Sequence, residues 1–124
     1  MTLEHDTTTL DGAATGAVTA LTAATFDEFV AGAELPVLVD FTATWCPPCR
    51  QLSPVLRQLA SDLRGTLAIA EVDVDEHPGL AVRFGVRGAP TMVLLVEGAV
   101  AAVLVGARGR DRLLADLEPH VRLA

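Results

Sequence analysis

Cys46 and Cys49 are the only cysteines in the chain, and two residues separate them. A Cys-x-x-Cys pair can cycle between dithiol and disulfide, or it can supply half of a zinc site. Structural zinc takes four ligands, and the remaining candidates, His5, His77 and His120, are scattered and accompanied by no second cysteine pair. No metal is therefore expected. A purely structural crosslink is also disfavoured, because closing so short a loop restricts the unfolded chain little. Redox exchange is the chemistry left to this pair.

The residues around the pair say how it would be held. Before it runs Val37-Leu38-Val39-Asp40-Phe41, apolar except for one carboxylate, which suits a strand buried on both faces. After it, from Gln51 to Leu63, Leu52, Val55, Leu56, Leu59 and Leu63 recur at helical spacing, with Pro54 expected to kink the helix and Gly65 to close it. A strand feeding a helix places Cys46 at the helix N-terminus, where unsatisfied N–H groups and the helix dipole favour thiolate over thiol. Cys46 is thus the candidate nucleophile. Cys49, one turn further in, is placed to attack the mixed disulfide that Cys46 forms with a substrate.

Other elements follow the same alternation of short β-like runs and helical stretches, the pattern of an α/β fold with helices covering a sheet. Ala17 to Leu21 reads as a short edge strand. Thr25, with Glu28 three residues on, reads as a capping box opening a helix through Phe29 and Val30. Leu67 to Val74 and Thr91 to Val96 read as further strands, and Pro78 to Phe84 as a short helix ended by Gly85. Glu97-Gly98 marks a hairpin turn, Ala99 to Val105 returns antiparallel, and Arg110 to Val121 forms a terminal amphipathic helix.

Composition sets the outer limits. With 124 residues, 51% of them hydrophobic, the chain has material for one core and one domain, expected over residues 17–124. No apolar run approaches the roughly 20 residues of a membrane span, so no membrane association is expected. Sixteen acidic residues against nine basic give a net charge of −7, which argues against nucleic-acid partners. Residues 1–16, rich in Thr and acidic side chains, have no basic n-region and no apolar h-region. They read as a flexible tail on a cytoplasmic protein, with a short docking motif as the other reading.

With Trp45-Cys46-Pro47-Pro48-Cys49 after a Val-Asp-Phe strand, the sequence resembles the thioredoxin family from about Leu21 to the C-terminus. Matching positions are Phe26, Asp40, Phe41, Trp45, Cys46, Pro48, Cys49, Pro54, Asp73, Asp75, Pro78, Gly79, Gly85, Arg87, Gly88, Pro90, Thr91, Gly98 and Gly106. The resemblance implies a central mixed sheet flanked by helices and a monomer that reduces protein disulfides. It implies no bound cofactor, with electrons arriving from NADPH through a partner flavoprotein, thioredoxin reductase. Pro90 corresponds to the family's cis-proline, and Trp45, Gly88, Ala89, Gly106 and Ala107 to the walls of a shallow groove for extended client segments. Asp40 corresponds to a buried carboxylate behind the second cysteine, which implies general acid/base duty toward Cys49. Its other reading is a hydrogen-bonded core residue without a catalytic part.

Three departures bear on reactivity. Pro47-Pro48 replaces the common Gly-Pro pair, which removes one backbone N–H and stiffens the turn. Glu71 stands where the family commonly has lysine. If Glu71 approaches Asp40, the like charges push at least one pKa up; if it turns to solvent, it matters little. Thr42 stands where many relatives have a second tryptophan. The Pro-Pro insert and Glu71 leave room for a specialised oxidant, isomerase or reductant for one client, and the N-terminal tail for a non-catalytic binding subunit that uses the fold as a scaffold and docks a partner through the tail.

Overall fold

The computed structural model describes residues 16–123. The expected tail falls on residues outside this range, except for Gly16. Within the range, the run Val37–Thr42 (β2) is buried continuously from Val37 to Phe41, as a strand covered on both faces must be. It occupies the middle of a five-stranded sheet ordered β1-β3-β2-β4-β5, with β1 at Thr19–Leu21, β3 at Ala68–Asp73, β4 at Thr91–Val96 and β5 at Ala99–Val105. β1, β3 and β2 are parallel, and β4 and β5 continue the sheet antiparallel. Glu97 (φ 52°) and Gly98 (φ 82°) both take left-handed conformations in the β4–β5 turn, the backbone that a two-residue hairpin with native twist requires.

Period-two alternation divides the side chains into two cores. On one face Val37, Val39 and Phe41 of β2, with Ala70, Val72, Val93 and Leu95, pack under α1 (Phe26–Gly32) and α3 (Pro78–Arg83). On the other, Leu38, Ile69, Met92 and Leu94 meet Leu52, Leu56 and Leu59 of α2 (Pro47–Asp62) and Leu113 and Leu117 of α4 (Arg110–Leu117). Asp40 belongs to this second face, since it follows Leu38 by two residues.

Several element ends differ from the sequence reading. α2 begins at Pro47, inside the Cys-x-x-Cys segment, because proline is well tolerated in the first helical turn, where its missing N–H has no intrahelical role. The helix continues through Pro54 to Asp62. The capping box at Thr25 does not form: Thr25 lies in the helical region (φ −107°, ψ −11°) and its hydroxyl accepts the Thr22 N–H at 2.9 Å instead. α4 ends at Leu117, and turns through His120 and Val121, whose N–H groups donate to the Leu117 carbonyl, keep Val121 buried.

Candidate redox site

The site is built where β2 ends and α2 begins. Cys46 is the N-cap of α2, with extended backbone, and its Sγ accepts the Cys49 N–H at 3.2 Å. This is the geometry that holds a sulfur against the open N–H groups of a helix start. Cys46 and Cys49 are joined as a disulfide, with Cα atoms 5.2 Å apart. Both sulfur-bearing residues are almost fully enclosed, packed with Ala43, Val74 and Ala89, while Pro47 and Pro48 between them are exposed. Proline at both intervening positions narrows the backbone freedom of this turn.

Across from the disulfide lies the chain leading into β4. The Ala89–Pro90 peptide bond is cis, and the Ala89 carbonyl oxygen lies 3.4 Å from the Cys46 Sγ. Thr91 donates its hydroxyl to the Gly88 carbonyl at 2.7 Å, and the Gly106 N–H donates to the Pro90 carbonyl at 2.9 Å. The cis proline therefore stands between Cys46 on one side and Gly106 on the other. Gly88 and Ala107 are exposed, and Ala89 and Gly106 half-buried, so backbone is accessible along this rim. Trp45 is 64% exposed, and its indole Nε1 donates to Asp75 at 2.7 Å.

Asp75 is a contributor that the sequence reading placed among the matching positions without giving it a part. Its own backbone N–H, and that of Glu76, donate to the Asp73 carboxylate at 2.8 and 3.2 Å. This side-chain-closed turn fixes the carboxylate that orients the indole. The Asp-Val-Asp pattern was the available signal. Arg50 turns back and donates to the Thr44 carbonyl at 2.8 Å, bracing the loop before Cys46.

In the middle of β2, Asp40 is only 2% exposed and its Oδ1 has no hydrogen-bond partner among the described residues. A buried oxygen without a partner is uncommon, since buried polar atoms are nearly always paired. Parallel pairing sets Asp40 directly opposite Glu71 of β3, with Met92 of β4 on its other side. Burial, and secondarily the Glu71 charge, push the Asp40 carboxyl up from 3.8 to about 7. Glu71 is itself half-buried on the wall of a pocket of about 170 Å³ shared with Val18, Ser53, Leu56 and Arg57. A carboxyl that titrates near neutrality can accept or return a proton at physiological pH, which an ordinary aspartate does poorly.

Among the described residues, no group of three or more His, Cys, Asp or Glu side chains comes together as a metal site would require. Likewise, no helix among them is long and apolar enough to cross a membrane. Chemically, the arrangement offers a two-electron dithiol–disulfide couple with a backbone rim beside it.

Comparison with known proteins agrees with this geometry. The family model for thioredoxin matches residues 17–119. A thioredoxin of Mycolicibacterium smegmatis is 44% identical over 103 residues, covering 82% of this chain and 92% of that protein. Thioredoxin of Pseudomonas aeruginosa is 40% identical over 101 residues, covering 82% and 94%. A bifunctional thioredoxin reductase/thioredoxin of Mycobacterium leprae is 41% identical over 120 residues, which is 97% of this chain but 26% of that longer protein. Among solved structures, a mutant thioredoxin from Halobacterium salinarum NRC-1 superposes with a TM-score of 0.79 at 34% identity, covering 88% of this chain and 95% of that one. This chain therefore belongs to the thioredoxin family and is a thiol–disulfide oxidoreductase of the protein-disulfide reductase type.

Proposed function

We propose that the chain reduces client disulfides in two exchanges, with Cys46 as nucleophile and Cys49 as resolving thiol. The Cys46 thiolate attacks one sulfur of the client disulfide, and the other client sulfur leaves as a thiolate that takes up a proton. The Cys49 thiol then gives its proton to the Asp40 carboxylate and attacks the Cys46 sulfur, releasing the second client thiolate. Two electrons pass to the client, and the Cys46–Cys49 disulfide remains. The single observation that carries this reading is the Cys46 sulfur at the N-cap of α2, bonded by the Cys49 N–H and facing the Ala89 carbonyl.

The client is taken to be an extended segment lying along Gly88, Ala89 and Pro90, with Trp45 on one flank and Gly106 and Ala107 on the other. Recognition of this kind relies on backbone bonds and tolerates many sequences. Pro47 and Pro48 modulate the thiolate by stiffening the turn, and Glu71 by raising the Asp40 carboxyl. The chain works as a monomer in the cytoplasm and carries no cofactor of its own. Its disulfide is returned to dithiol by a thioredoxin reductase that draws on NADPH; the Mycobacterium leprae relative, which by name joins both activities, supports that partnership. The test is insulin disulfide reduction with and without a thioredoxin reductase and NADPH. Reduction dependent on the reductase and on Cys46 is expected. A strongly oxidising equilibrium with glutathione would instead point to an oxidant for a particular client.

A further inference from the structure

β5 ends at Val105, and the chain crosses to α4 through residues 106–109, which form neither helix nor strand. Gly106, at φ 95°, makes the exit in a left-handed conformation that suits glycine. Leaving the sheet frees the carbonyls of Val105 and Gly106 from the strand ladder, where another donor can take them. Arg108 is that donor. Its Nε donates to the Gly106 carbonyl at 3.3 Å, one terminal nitrogen donates to the Val105 carbonyl, and the other to the Asp116 carboxylate at 2.7 Å. The Arg108 side chain is 10% exposed and that of Asp116 28%, so the pair is largely shielded from solvent. A second arginine, Arg112, also approaches Asp116, but at 4.0 Å and from an exposed position. A planar guanidinium with three acceptors on two elements has one orientation open to it.

The same glycine faces the redox site. Its N–H holds the Pro90 carbonyl, and the residue before Pro90 presents its carbonyl to the Cys46 sulfur. A connected path of bonds therefore runs from Asp116 on α4 through Arg108, Gly106 and Pro90 to the rim of the disulfide. We infer that Arg108, held by Asp116, is a positioning residue that fixes the Gly106–Ala107 wall of the client groove and so sets affinity for protein disulfides without entering the sulfur chemistry. This rests on the reading that clients lie between that wall and Trp45. A segment bound through backbone contacts depends on where the wall stands, and ordering a loosened wall at each encounter weakens binding. A small disulfide that needs no wall is indifferent to it.

The test is single-turnover oxidation of the reduced protein by insulin over a range of concentrations, beside its reaction with a small aromatic disulfide. Arg108→Leu keeps an apolar stem and loses every donor. It is expected to raise the half-saturating insulin concentration about fivefold, with the limiting rate and the small-disulfide rate within about twofold of the parent. Arg108→Lys, a point charge that cannot fork to three acceptors, should fall between the two. Replacing both partners, Arg108→Leu with Asp116→Leu, removes the unpaired carboxylate and should recover folding stability while leaving the insulin concentration raised. Recovery of insulin binding along with stability would overturn the proposal, as would an unchanged half-saturation in Arg108→Leu. Trp45→Ala separates the two readings: if it weakens insulin binding while Arg108→Leu does not, only the positioning role fails, and if neither variant does, the groove itself fails.

Discussion

Asp40 makes the stability of this protein depend on pH in a direction opposite to that of an ordinary paired aspartate. In the folded chain its carboxyl is pushed from 3.8 to about 7, by burial first and by Glu71 second. Unfolding returns it to water and to its usual value. The folded state thus binds this proton more tightly than the unfolded state does. Below pH 3.8 the group is protonated in both states and costs nothing. As pH rises from there toward 7 the unfolded chain gains by ionising, and above 7 both states are ionised and the loss is constant. About three pH units at about 1.36 kcal/mol each amount to about 4 kcal/mol, a large part of the 5–15 kcal/mol typical of a folded domain. Asp40→Asn removes the effect while keeping the shape. Urea unfolding of the oxidised proteins, followed by far-UV circular dichroism between about pH 4 and pH 8.5, should show the variant gaining on the parent by about 4 kcal/mol across that range and then levelling. The amide adds only a pH-independent offset. A gap that stays constant with pH, or widens toward acid, would refute the reasoning.

In the proposed mechanism the same group takes the Cys49 proton in the second exchange. The rate at which Cys49 resolves a preformed mixed disulfide should rise with pH through about 7 as Asp40 becomes the carboxylate, and Asp40→Asn should flatten that rise; stopped-flow release of the client thiol reads it. Glu71→Gln removes the neighbouring negative charge, so the midpoint of this profile should move to lower pH, and an unmoved midpoint would remove Glu71 from the pair. Cys49→Ser should accumulate a Cys46–client mixed disulfide visible by intact-mass spectrometry, whereas Cys46→Ser should form none.

Much of the site could be read without coordinates because it depends on local pattern. The Val37–Phe41 run announces a doubly covered strand, the spacing of Leu52, Leu56 and Leu59 a helix, and two isolated cysteines between them a redox pair at a helix start. The meeting of Asp40 and Glu71 is a different matter. Each strand is visible, but which residue stands opposite which depends on register, and a slip of one residue would have put Glu71 on the other face. Asp75 and Arg108 were harder still. The first acts on an indole thirty residues away, and the second on backbone carbonyls that carry no sequence signal. Thr25 shows the reverse error, where the right residues for a capping box were present but Thr22 took the hydroxyl first.

Trp45 has a consequence for how the protein can be watched. It is the only tryptophan, and the chain has no tyrosine, so nearly all near-ultraviolet emission comes from one indole beside Cys46, oriented by Asp75 and open to water. A disulfide quenches a neighbouring excited indole and a dithiol does so less. The molecule therefore carries its own optical gauge of oxidation state, and reduction can be timed as a brightening without any attached dye.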